Sequence, residues 1–402
     1  MRSFGLVMGL LAALLAIPAY GADPIVLERL EVQSDWPNGA RIELATSSQS
    51  EITAVVASVS SGLGAASVVR RPTITRGERV EAAFNVAPGY VPPFGEIVVQ
   101  LSIENAAGEI LRTEPRRIQY VDNRYAWEQA SDGLVTAHWH GNVASRARAI
   151  LAAATTTVDR LQREAGLAYD RPVKLVIYNT KDEIDSVIPF RSATSRRELI
   201  TAGQAQAEHD LVLVLATTNA EATAAHELTH LVVMNAAQNP YFELPAWLNE
   251  GLAVYFQGDG GREYQQLFER RKREDRLLSL RAMTTPPGKP EDNLLMYGEG
   301  YELVRFLIGR YGPENIAAYL AAYREAKDHD TPLRSIYGFD RDQLEAEWRA
   351  AVGAPSQVPP SPSQPVGRLA ATLPALLTAG AVALVLGIGL LVWRVVRRGR
   401  YL

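Results

Sequence analysis

His226-Glu227-Leu228-Thr229-His230 sets two imidazoles four residues apart. On a helix, residues at that spacing stack on one face, so His226 and His230 could grip a single metal ion. Glu227 then sits one step round, where a general base for a metal-activated water must stand. Further along, Glu250 interrupts the apolar run Pro245-Ala246-Trp247-Leu248-Asn249-Glu250-Gly251-Leu252-Ala253-Val254-Tyr255-Phe256. A carboxylate among such neighbours is costly unless a positive charge meets it. A zinc ion held by His226, His230 and Glu250 supplies that charge, and two histidines, one glutamate and a water form the open, catalytic kind of coordination. Closed structural sites mostly use cysteine, and the chain has none.

The elements that must position these groups are legible nearby. Thr218 with Glu221 three residues on forms a capping-box pattern at the head of the first helix. At 100° per residue Ala224, Ala225, Leu228, Leu231 and Val232 gather on one side, nearly opposite His226 and His230. The second helix is expected to carry Pro245 in its first turn, and Gly251 beside the third ligand permits close backbone approach.

HELTH followed by LPAWLNEGLAVYF resembles the gluzincin zinc metallopeptidases, and among them the bacterial peptidase MA-like domain proteins. The resemblance runs from about Tyr120 to Gly353, taking in YVDNRYAW and MYGEGYELVRFLIGRYG. It implies zinc as cofactor, peptide or protein as substrate, and Tyr297 or Tyr301 as donor to the oxyanion. It also implies an edge strand that pairs with substrate backbone, for which Thr201-Ala202-Gly203-Gln204-Ala205 is the candidate. The WLNEG fragment is similar to the aminopeptidase N branch, with three departures. The gap between His230 and Glu250 is one residue longer, the GxMEN sequence that captures a free amino terminus is absent, and Val254 stands where many gluzincins place an Asp behind a zinc-ligand histidine. Aminopeptidase activity is therefore not implied, and no residue is assigned to support the histidines.

The remaining chain supplies address and scaffold. A net charge of -4, with no basic cluster in the part expected to fold, excludes nucleic acid as a natural partner. Residues 1–22, with Arg2 before an apolar run from Phe4 to Ile17, are expected to be a signal peptide. Leu369 to Trp393 holds twenty-five residues without a charge and leads into Arg394, Arg397, Arg398 and Arg400. That pattern predicts a transmembrane helix over 369–393 with a basic cytoplasmic tail at 394–402. Prolines 355, 359, 360, 362 and 365 make 354–368 an extended linker.

Residues 23–122 alternate apolar and polar between turn signals, predicting an antiparallel β-sandwich of immunoglobulin-like type. Residues 123–353 are the expected catalytic domain, an α+β zincin-like fold. It has strands at Leu134–Trp139, Val173–Tyr178 and Leu211–Ala216 and helices at Val143–Ala165, Gly261–Asp275, Asn293–Tyr311, Pro313–Ala326 and Arg341–Val352. His138 and His140 share one face of the first strand, which suits either half-exposed histidines or a second metal pair.

The expectation is a single-pass type I membrane zinc metallopeptidase whose catalytic domain lies outside the cytoplasm, with Glu227 as general base. Two other readings fit the same residues: a catalytically idle zinc-binding protein of the cell surface, and a zinc hydrolase of a non-peptide amide.

Overall fold

The computed structural model describes residues 23–62, 67–188, 202–239, 241–258 and 261–355. The expected signal peptide, transmembrane helix, basic tail and nearly all of the linker lie outside them. Among the described residues no helix is long and apolar enough to cross a membrane.

The N-terminal part is one antiparallel sheet of β1 (Val26–Asp35), β2 (Gly39–Ser61), β3 (Val68–Arg70), β4 (Gly77–Val86), β5 (Glu96–Asn105), β6 (Ile110–Arg112) and β7 (Arg116–Gln119). The expected two-sheet sandwich is replaced by a continuous ladder because β2, 23 residues long, serves both halves. Its first half lies between β1 and β4, its register shifts after Ser47, and its second half pairs with β3 and β5. The buried positions change parity across that shift, from Ala40, Ile42 and Leu44 to Val55, Ala57 and Val59, and both sets enter one core. Asp23 fixes the irregularity, its carboxylate accepting from the Ser48 hydroxyl and the backbone N–H groups of Gln49 and Ser50.

The second part is a five-stranded sheet in the order β11 (Gly203–Gln206), β12 (Leu211–Leu215), β10 (Val173–Tyr178), β9 (Val135–His140), β8 (Trp127–Asp132). β9, β10 and β12 run parallel, with β8 and β11 antiparallel at the two edges. α1 (Ala144–Ala165) crosses between β9 and β10, a short α2 (Lys181–Val187) follows β10, and α3 (Ala220–Ala236) and α4 (Ala246–Phe256) follow β12. α5 (Arg262–Arg273), α6 (Pro290–Tyr311), α7 (Glu314–Tyr323), α8 (Asp330–Tyr337) and α9 (Arg341–Val352) complete a helical lobe. Val135, Ala137, Trp139, Leu175, Ile177, Val212 and Val214 face these helices in a single core.

The other face of this sheet meets the N-terminal part, which corrects the expectation for His138 and His140. Both are buried. His138 stacks on Phe94 at 4.1 Å between ring centroids, and His140 stacks on Tyr125 at 4.0 Å. Sequence periodicity could give the shared face but not its cover, which arrives from the loop before β5 for His138 and from the segment between β7 and β8 for His140. Asp122, fully buried at the same junction, accepts from the Arg124 guanidinium and the Tyr178 hydroxyl. Neither histidine belongs to a converging group of three or more potential metal ligands among the described residues.

The α4–α6 crossing places the third candidate ligand. A Cβ on Gly251 would lie 2.3 Å from the Gly300 carbonyl oxygen, and one on Gly300 would lie 2.5 Å from that of Trp247. Only glycine at both positions lets the two backbones touch.

Two outcomes follow from this packing. Gly251→Ala should destabilise the protein by on the order of 1–3 kcal/mol or more through overpacking, whereas Gly309→Ala, on α6 like Gly300 but with nothing within 4 Å of the added Cβ, should stabilise it by about 0.5–1 kcal/mol. Urea unfolding of both variants checks this, and equal effects would contradict the close crossing. Burial, followed by the nearby Lys174 ammonium, pushes the His138 imidazole down to about 4. Such a group contributes stability above its unfolded value of 6.5 that is lost as the pH falls toward 4. His138→Phe should therefore flatten the decline in urea midpoint between pH 7 and pH 4.5; an unchanged decline would mean that His138 does not drive it.

Candidate metal centre

α3 begins directly after β12. The Ala216 N–H bonds the Tyr178 carbonyl, the Thr217 N–H bonds that of Leu215, and Asn219 occupies the N-cap without a side-chain capping bond. The capping box expected from Thr218 and Glu221 is thus absent: the strand exit fixes the helix start one residue later and leaves Glu221 at the second helical position. The apolar face forms as expected, with Ala224, Ala225, Leu228, Leu231 and Val232 buried. Pro245 caps α4 instead of opening it, its carbonyl accepting from the N–H groups of Leu248 and Asn249.

These helices bring three electron-rich atoms together. The Nε2 atoms of His226 and His230 are 3.1 Å apart. Glu250 Oε2 lies 3.4 Å from the first and 3.3 Å from the second. Three corners of a tetrahedron with zinc–ligand bonds of about 2.0–2.1 Å are separated by about 3.3–3.4 Å, so the triangle has the size such an ion requires. Glu250 Oε2 is moreover a buried oxygen with no hydrogen-bond partner. Burial opposes the charged form of both His230 and Glu250, yet their attraction prevails, lifting the imidazole above its ordinary range and holding the carboxyl below its own. The site calls for positive charge, and its donor set suits zinc.

The other ring nitrogens are also engaged. His226 Nδ1 lies 3.1 Å from Gln257 Oε1, and His230 Nδ1 lies 3.1 Å from Asn249 Oδ1. A carbonyl oxygen there requires the proton on Nδ1, which in the neutral ring leaves the Nε2 lone pair facing Glu250. Sequence reasoning missed both amides. Asn249 directly precedes Glu250, while Gln257, seven residues beyond it, returns to nearly the same helical side.

Glu227 does not join the triangle. Its Oε2 accepts the Ala205 N–H at 2.9 Å, from edge strand β11. A Cβ on Gly203 would lie 2.7 Å from Glu227 Cγ and 2.7 Å from Thr223 Cγ2, so glycine lets the strand settle on α3. The edge-strand candidate therefore lies along the site, except for Thr201, which is outside the described residues.

The two tyrosines separate. Tyr297 packs 6.2 Å from the His226 ring and stacks on Tyr264. Burial, and behind it the carboxylates of Glu250 and Glu227, hold its hydroxyl protonated well above the usual phenol range. Tyr301, one turn on, lies beside Tyr255 and Gly261.

Comparison with known proteins gives the same picture at the level of family. No curated protein sequence matches the chain. Among solved structures it is similar to a two-domain M1 zinc metallopeptidase mutant bound to L-tryptophan, with 12% identity and a TM-score of 0.35 over 85% of this chain and 96% of that one. The M1 zinc metallopeptidase of Deinococcus radiodurans gives 13% identity and a TM-score of 0.35 over 83% and 94%. Aminopeptidase A of Legionella pneumophila, in complex with aspartic acid, gives 10% and 0.35 over 82% and 50%. A family model described as Peptidase MA superfamily matches residues 153–354. That match spans half of the chain and encloses both helices of the site, and the protein belongs to the peptidase MA superfamily.

Proposed function

We propose that this protein is a zinc-dependent peptidase tethered outside the cytoplasmic membrane. The observation that carries the enzymatic part is the 3.1–3.4 Å triangle of His226, His230 and Glu250 atoms with Glu227 beside it. His226, His230 and Glu250 would hold the zinc, which when bound supplies Lewis acidity, easing deprotonation of a water and polarising a carbonyl. Glu227 takes the proton of the attacking water and returns it to the leaving amine. Its bond from the Ala205 N–H keeps the carboxylate at the sheet edge, where outward-facing backbone groups of β11 can pair with an extended substrate. Tyr297, whose burial favours the protonated hydroxyl, donates to the oxyanion; Tyr301 packs a turn away, against Tyr255.

The tether rests on the sequence alone. The apolar run over 369–393 and the arginines behind it place everything before Leu369 outside the cytoplasm, with 354–368 as spacer.

Three variants test the chemistry. His230→Ala should lose stoichiometric zinc. Glu227→Gln should keep zinc and lose peptide turnover by about 10²-fold or more, and Tyr297→Phe should keep zinc and lose on the order of 10²-fold in kcat. Zinc analysis alongside cleavage of a mixed peptide library reads all three; turnover by Glu227→Gln at the parental rate would contradict the mechanism. A zinc-loaded parent that cleaves nothing would favour the idle recognition reading. For the topology, protease added to intact cells should release the ectodomain, and full protection would reverse the orientation.

A further inference from the structure

The gluzincin resemblance leaves one place unfilled. The residue four beyond Glu250, where an Asp would support a ligand histidine, is the fully buried Val254, whose side chain accepts no hydrogen bond. His226 is nevertheless not unsupported, because Gln257 reaches it from the end of the same helix. The Gln257 N–H is anchored on the Ala253 carbonyl, its residue is 9% exposed, and its Oε1 lies 3.1 Å from His226 Nδ1. A hydrogen bond withdrawn from water to this degree is stronger than an exposed one and harder to replace by solvent.

We propose that Gln257 is a positioning residue that fixes the tautomer and ring orientation of His226 for the metal, performing with a neutral amide the task usually given to a carboxylate. The inference rests on the zinc-peptidase reading and adds a property to it. With Asn249 on His230, both ligand imidazoles are backed by uncharged acceptors. An amide carbonyl draws less on the Nδ1 proton than a carboxylate does, so each imidazole is a weaker electron donor than its carboxylate-backed counterpart. The centre thereby gives up some metal affinity and leaves more positive charge on the ion, where it acts on substrate.

The test uses the purified full-length protein, with zinc affinity measured by chelator competition and the visible spectrum recorded with cobalt in place of zinc. Gln257→Leu should weaken zinc binding by roughly 10- to 100-fold and alter the cobalt spectrum, while the metal-free thermal unfolding stays close to that of the parent. Gln257→Glu keeps shape and acceptor and adds the charge; it should bind zinc more tightly than the parent and much more tightly than Gln257→Leu. Should Gln257→Leu not fold, Gln257→Glu against the parent decides alone. Parental zinc affinity and spectrum in Gln257→Leu, or a Gln257→Glu variant no tighter than the parent, would overturn the proposal while loss of zinc in His230→Ala left the metal site standing. A parent that binds no zinc would overturn both.

Discussion

Two imidazole nitrogens and a carboxylate oxygen held within 3.4 Å of one another turn their donor atoms on one point, an approach that is favourable only with a proton or a metal ion among them. Everything around the site works to keep those atoms there. α3 buries its Ala and Leu face in the main core, which leaves His226 and His230 on the side toward α4 and α6. α4 in turn is pressed on α6 by the Gly251–Gly300 contact, which fixes both Glu250 and, three residues before Gly300, Tyr297. The convergence is thus a packing result paid for in glycine and core volume, and it gathers three donor atoms on one point.

The two halves of the sheet-based scaffold have different duties. One face of the five-stranded sheet carries the helices of the site, and its edge strand β11 runs past Glu227. The opposite face is sealed by aromatic rings and buried histidines against the N-terminal part, with Phe94 in the same core as Val176, Tyr178 and Leu213. His138 and His140 therefore do structural work in a chain where His226 and His230 converge on Glu250. The separation follows from which neighbours each pair meets: Phe94 and Tyr125 for the first, a lone carboxylate oxygen for the second.

Much of this was legible in the residues, since an HExxH helix and a distant Glu in an apolar helix each carry their reason locally. The strands Val173–Tyr178 and the helix Arg341–Val352 emerge with the bounds their periodicity predicts. What escaped depended on contacts distant in sequence. The capping box gave way to a helix start set by β12, and His138, expected to be half-exposed, is covered by Phe94, 44 positions earlier. The sandwich became one ladder because a single strand can bend through an irregularity that local alternation does not announce. Gln257 was invisible because family spacing pointed to position 254, whereas the helix offers a second position on nearly the same side two turns beyond Glu250.

The central claim concerns a single point in space. Anomalous diffraction collected on either side of the zinc edge, from crystals of the protein grown with zinc, measures it directly. The account predicts one strong peak bonded to His226 Nε2, His230 Nε2 and Glu250 Oε2 at about 2.0–2.2 Å, with Glu227 beside it and not on it. A peak elsewhere, or a Glu250 side chain turned away from the two imidazoles, would contradict it.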